Sequence, residues 1–147
     1  ISLCCDLRFA SDKALFTTAF AQRGLIAEWG ISWTLSRLVG PAHAMDLILS
    51  ARRVDAAEAE RIGLVNKVYP HDELMPAVYA YAREMATRCS PSSMAVMKRQ
   101  IYQDMTQSLG DANDESMQLM LESFDRPDFS EGVRSFLEKR APQFGRV

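Results

Sequence analysis

From residue 90 onward the apolar positions recur at helical spacing. Met94, Met97, Ile101 and Met105 share one side of a helix that opens at Ser90-Pro91, and Met117, Met120, Leu121 and Phe124 stand at i, i+3, i+4 and i+7 of another. A last run, Val133, Phe136 and Leu137, follows Asp128-Phe129-Ser130-Glu131, which has the form of a capping box. Before them a helix is predicted over 72–89, with Leu74, Val78, Met85 and Cys89 near helical spacing. Methionine-rich stripes of this kind read as core. Three consecutive amphipathic helices can also bury more than one monomer offers, so part of their surface is expected to pack between subunits.

The first half is less regular. Ile1 to Cys5 reads as the last turns of a buried helix or the start of a buried strand. Leu7 to Ala10 is a strand candidate, followed by a turn at Ser11-Asp12-Lys13 and a second short apolar piece, Ala14 to Phe16. A short helix is predicted over 32–38. Gly40-Pro41 opens the next, with Met45, Leu47, Ile48 and Leu49 on its buried side. Asp55-Ala56-Ala57-Glu58 is a second capping-box pattern, and its helix should stop at Gly63. Leu64 to Val68 is then strand-like and ends before Pro70.

Chemistry concentrates between these parts. From Gly24 to Ser36 the only ionisable side chain is Glu28, set among Leu25, Ile26, Trp29, Ile31 and Trp33. Such surroundings predict a packed loop whose carboxylate loses hydration, which raises its pKa above the ~4.3 of a free glutamate. A glutamate that points to water fits the residue types equally well. Phe20, Ile26, Trp29 and Trp33 are the candidate substrate-binding side chains, with simple packing as the alternative for the tryptophans.

Composition narrows the class. The chain has 147 residues, 48% hydrophobic and 24% charged, with formal net charge −2. That balance argues against nucleic acid or a membrane surface as the main partner. No transmembrane stretch or signal-peptide pattern is visible. Cys4, Cys5 and Cys89 have neither disulfide-framework nor zinc spacing, so no metal site is expected and the thiols read as reduced, in a cytoplasmic protein. Opening without methionine inside an apolar run predicts part of something larger, because domain termini usually lie at the surface.

Several strings together resemble the enoyl-CoA hydratase/isomerase (crotonase) superfamily. They are Cys5-Asp6-Leu7-Arg8-Phe9-Ala10, Gly24-Leu25-Ile26 behind Phe16, Arg37-Leu38-Val39-Gly40, and Asp55 to Ala59 with Ile62-Gly63-Leu64-Val65-Asn66-Lys67-Val68. The ending Phe136-Leu137-Glu138-Lys139-Arg140-Ala141-Pro142-Gln143-Phe144 completes the set. The resemblance implies an α/β chain: the C-terminal half of a ββα superhelix over 1–70, with the active-site loop, and a helical trimerisation region over 71–147. It implies enolate chemistry on an enoyl-CoA thioester, in fatty acid or related acyl-CoA metabolism. The enolate would be held by two backbone N–H groups from segments upstream of this chain. Coenzyme A enters as part of the substrate, with no separate cofactor. A homotrimer or hexamer and the missing N-terminal half are the expected partners.

Within that resemblance one glutamate of the hydratase pair falls on Phe20, and the other would lie just beyond Ile1. Glu28 stands where enoyl-CoA isomerases carry their glutamate, eight residues further along the same loop. One carboxylate suffices to move a proton between C2 and C4. Lys139 and Arg140 lie where family members sometimes reach the nucleotide of coenzyme A, often across a subunit boundary. Two other readings stand beside this one: a noncatalytic assembly module that keeps only the oligomerising half, and a hydrolase or dehalogenase with Glu28 as nucleophile.

Overall fold

The computed structural model describes residues 2–145, so Ile1 of the opening apolar run lies outside it. The chain divides into two units, Ile1–Tyr79 and Ala80–Val147.

The first unit opens with a 3₁₀ turn, Ser2–Cys4, in place of the expected buried helix or strand. Cys4 and Cys5 are exposed thiols, and only Leu3 of this turn packs against the core. Four short strands follow, with two helices among them. They are β1 (Phe9–Ser11), β2 (Leu15–Phe16), α1 (Ile31–Ser50), β3 (Val54–Asp55), α2 (Ala56–Arg61) and β4 (Lys67–Tyr69). β1 pairs in parallel with β4, Phe9 opposite Lys67, and β2 pairs antiparallel with β3, Leu15 opposite Asp55. Around the first pair the Arg8 N–H donates to Asn66 Oδ1 at 2.8 Å, the Asn66 N–H donates to the Arg8 carbonyl at 2.7 Å, and Arg8 Nε donates to the Leu64 carbonyl at 2.9 Å.

The core of this unit gathers Leu35, Val39 and Leu47 of α1 with Val54, Ala59, Ile62, Leu64 and Val65. Leu35 is 2% exposed; full burial of such a side chain is worth about 1.5–3 kcal/mol. α1 is broken where the sequence separates two helices. Gly40 sits at φ 78°, ψ 159°, outside helical geometry, and Pro41 follows without an N–H to continue the ladder. The buried side of the second segment is Ala44 and Leu47, while Met45 and Leu49 are exposed, contrary to the sequence expectation. α2 starts as its capping box predicts, with the Asp55 carboxylate accepting the Glu58 N–H at 2.8 Å, and Gly63 adopts φ 78° just past its end.

α3 (Leu74–Arg88) runs through the division between the units. The second unit then contains α4 (Pro91–Asp104), α5 (Leu109–Phe124) and α6 (Pro127–Leu137). Ser90 caps α4 and Ser108 caps α5, each accepting an N–H three residues on, from Ser93 and from Asp111. The expected capping box at Asp128 is not formed. Pro127 occupies the first helical position of α6, so Asp128 lies inside the first turn. Its carboxylate instead accepts the hydroxyls of Ser90 and, at 2.8 Å, Ser92.

The stripes expected to be core are open in this unit. Met97, Ile101, Leu121 and Leu137 are exposed, Phe136 is 82% exposed, and the described buried residues here are Ser90 and Ser135. Helical periodicity places these side chains on common faces, but the unit's own elements do not cover them.

Candidate active site

The loop between β2 and α1 is tied down at its start by hydroxyl and amide donors. Thr17 Oγ1 and Gln22 Nε2 both donate to the Ala51 carbonyl, at 2.9 and 3.1 Å, and Thr18 Oγ1 donates to the Leu47 carbonyl at 3.0 Å. Ala51 reaches out from α1 in a left-handed conformation, φ 48°. A single 3₁₀ turn, Ala21–Arg23, follows and closes on Gly24, with the Leu25 N–H donating back to the Phe20 carbonyl at 3.0 Å. No sequence pattern marks these anchors, because threonine and glutamine carry no signal until their acceptor is known.

Beyond Gly24 the chain runs free to a tight turn at Glu28. The Ile31 N–H donates to the Glu28 carbonyl at 3.0 Å, and the two residues between, Trp29 at φ 55° and Gly30 at φ 67°, are both left-handed. Gly30 is also the N-terminal cap residue of α1, and its carbonyl accepts the N–H groups of Trp33 and Thr34 at 3.1 and 3.0 Å. The backbone of Glu28 is therefore coupled directly to the first turn of the helix.

The side chains of this loop are not packed, which corrects the sequence expectation. Glu28 is exposed, Trp29 is 96% exposed and Ile26 81%. Nothing among the described residues strips water from the carboxylate. The apolar neighbours that predicted burial are themselves uncovered. Phe20 is half-buried, and Trp33 is 45% exposed with the Arg37 guanidinium 3.8 Å from its ring centroid, a cation–π stack along α1.

The first unit has a cavity of about 360 Å³, walled by Leu3, Phe16, Ile31, Leu35, Leu47 and Leu64, with Thr17, Thr18 and Arg52 at its polar edge. None of Phe20, Ile26, Glu28, Trp29 or Trp33 lines it. On α1, Ile31 and Leu35 face this space, and Trp33 with Arg37 lies two residues round, on the other side of the helix. Arg52 is held by two carboxylates, Asp46 at 2.6 Å and Glu58 at 2.7 Å, and its hydrogen bonds pull both acids below the usual carboxylate range.

The two tail cations differ. Lys139, at φ 53°, is exposed. Arg140 is already engaged: its Nη1 and Nη2 meet the two oxygens of Glu131 at 2.6 and 3.0 Å, and its Nε meets Glu138 at 2.6 Å. Arg140 Nη1 also donates to the Ala141 carbonyl at 3.0 Å, so most of its donors are engaged within the tail and α6. Among the described residues no group of three or more His, Cys, Asp or Glu side chains is placed to hold a metal ion, and no helix is long and apolar enough to cross a membrane.

Comparison with known proteins matches residues 1–146 to the enoyl-CoA hydratase/isomerase family pattern. A probable enoyl-CoA hydratase of Mycobacterium leprae is 38% identical over 144 residues, which cover 98% of this chain and 56% of that protein. One from Rhizobium meliloti is 35% identical with the same coverage. Among solved structures, a probable enoyl-CoA hydratase/isomerase from Mycobacterium abscessus superposes with a TM-score of 0.93 at 28% identity, covering 99% of this chain and 59% of that one. Enoyl-CoA hydratase from Bacillus anthracis gives 0.92 at 29%, covering 97% and 55%. The chain thus spans about half the length of the curated relatives it matches. These matches give a share of each relative and not its position, so the C-terminal placement draws no support from them.

Proposed function

The chain belongs to the enoyl-CoA hydratase/isomerase family, and from that premise we propose that it carries the proton-transferring carboxylate of an enzyme acting on enoyl-CoA thioesters. The observation that carries the proposal is Glu28: the one ionisable side chain from Gly24 to Ser36, on a turn hydrogen-bonded to α1. In the reaction Glu28 takes a proton from C2 of a 3-enoyl thioester. The C–H electron pair enters the thioester as an enolate, and the same carboxyl returns the proton at C4 while the double bond moves to C2–C3. The enolate oxygen needs hydrogen-bond donors, and the reading assigns these to residues outside this chain.

Hydration is the second reading, favoured by the names of the relatives. There Glu28 removes a proton from water as the hydroxyl adds to C3, and the protonated carboxyl then gives that proton to C2 of the enolate. Trp29, Trp33, Ile26 and Phe20 are assigned to the apolar surface around the acyl chain. Lys139 remains the tail cation assigned to the nucleotide, and the exposed helical faces are assigned to contacts between copies in a trimer or hexamer.

The test is Glu28→Gln in the full-length protein, assayed with both 2-enoyl and 3-enoyl thioesters. Loss of a catalytic carboxylate of this kind costs about 10²–10⁴ in rate, and a change below about threefold with both substrates overturns the assignment.

A further inference from the structure

The turn under Glu28 is strained, and nothing among the described residues packs on it to account for the strain. Left-handed backbone is disfavoured for L-residues and is a clear outlier for a bulky one, yet Trp29 adopts φ 55° with its side chain 96% exposed. No packing contact of that indole repays the conformation within the chain. Gly30 continues it at φ 67°, and a Cβ built there would meet nothing within 4 Å. The glycine is therefore required by its backbone angle and not by a close neighbour. What the two left-handed residues accomplish is to reverse the chain within one turn, so that the Glu28 carbonyl accepts the Ile31 N–H while the Gly30 carbonyl accepts from Trp33 and Thr34. The hydroxyl of Thr34 adds a further bond to the Gly30 carbonyl at 3.2 Å.

We propose that this left-handed turn is the positioning device of the reaction, and that Gly30 is a positioning residue which aims the Glu28 carboxylate by fixing its backbone to α1. The inference rests on the assignment of Glu28 as the proton-transferring group. An exposed carboxylate on an otherwise free loop has no side-chain partner to orient it, because no hydrogen bond or ion pair of Glu28 is seen among the described residues. Among the described residues, what places this side chain is its backbone. Backbone strain concentrates where function demands a geometry the sequence would otherwise avoid, and the other left-handed glycine of the loop supplies a contrast. Gly24 has nearly the same angle, φ 68°, and the same empty space for a Cβ, but it closes the 3₁₀ turn four residues before Glu28.

The experiment compares Gly30→Ala, Gly30→Asn and Gly24→Ala in the full-length protein, with Glu28→Gln alongside. Alanine at either glycine introduces the same backbone strain without a clash, whereas asparagine tolerates the left-handed region. The expected result is that Gly30→Ala lowers kcat by about tenfold or more with KM little changed, since small misplacement of a reacting group can cost up to ~10²-fold. Gly30→Asn should recover most of that loss, and Gly24→Ala should leave kcat within about threefold of the parent while lowering the melting temperature as Gly30→Ala does. Equal loss of kcat in both alanine variants overturns the proposal, as does a Gly30→Ala enzyme with unchanged kcat. If Glu28→Gln is itself without effect, the assignment of Glu28 fails first. If Glu28→Gln is inactive and Gly30→Ala is not impaired, only the positioning role fails.

Discussion

Glu131 and Arg140 form a bidentate ion pair in the second unit. The guanidinium presents two N–H groups to the two carboxylate oxygens, and the Gln143 backbone N–H adds a third donor at 2.7 Å. Arg140 in the first place, and Gln143 after it, hold the Glu131 pKa down to about 2 from an ordinary 4.5. A carboxyl with a folded value below its unfolded one stabilises the folded state fully above the unfolded value, and that contribution is lost as pH falls towards the folded value. The contact between α6 and the tail should therefore weaken as pH drops from about 4.5 to about 2. Thermal unfolding of the parent and of Glu131→Gln across this window checks it. The parent should lose stability more steeply on acidification, and parallel curves would show that the pair does not act through Glu131. The same geometry explains why a cation next to another in sequence need not share its role. Lys139 is exposed, while Arg140 is held by Glu131 and Glu138.

At the scale of the element, starts and stops follow local chemistry. Ser90 accepts the Ser93 N–H at 3.1 Å at the head of α4, and Asp55 accepts the Glu58 N–H at the head of α2. Replacing such a cap by alanine typically costs about 1 kcal/mol. Asp55→Ala tests this most cleanly, because the Asp55 side chain serves that cap, whereas Ser90 also donates to Asp128. A denaturation midpoint unchanged in Asp55→Ala would contradict the cap's contribution. These caps, the Gly40-Pro41 break and the Gly63 stop were all readable in the sequence, since each is decided within four or five residues. The Asp128 box fails for the same reason turned around: Pro127 shifts the helix start, and two serines 36 and 38 residues away claim the carboxylate. For the candidate site the sequence marks a residue, Glu28, whose role is proposed above, and it does not mark the environment of that residue. Burial depends on what covers a loop, and no periodicity within the loop encodes its cover.

For the whole molecule the question is what the open apolar faces meet. In the second unit Leu121 and Phe124 on α5, and Val133, Phe136 and Leu137 on α6, are all exposed, several by more than half. Exposed apolar side chains at helical spacing on one helix are the material of an interaction face. Removal of apolar area from water contributes roughly 25 cal/mol per Å², and a stable interface buries about 800 Å² per partner. A closed ring of identical copies can cover such a face on every copy, whereas an open arrangement leaves its end faces bare. If self-association is what covers α6, sedimentation of the full-length protein should give a trimer or a multiple of it. Phe136→Asp combined with Leu137→Asp should shift it to monomer, because each buried unpaired carboxylate carries a large desolvation cost. Both side chains are already exposed within the chain, so the variant removes no contact of the unit's own interior and its helical circular dichroism should persist. A parent that sediments as a monomer, or a double variant that remains a trimer, would show that α6 is covered by something other than a second copy.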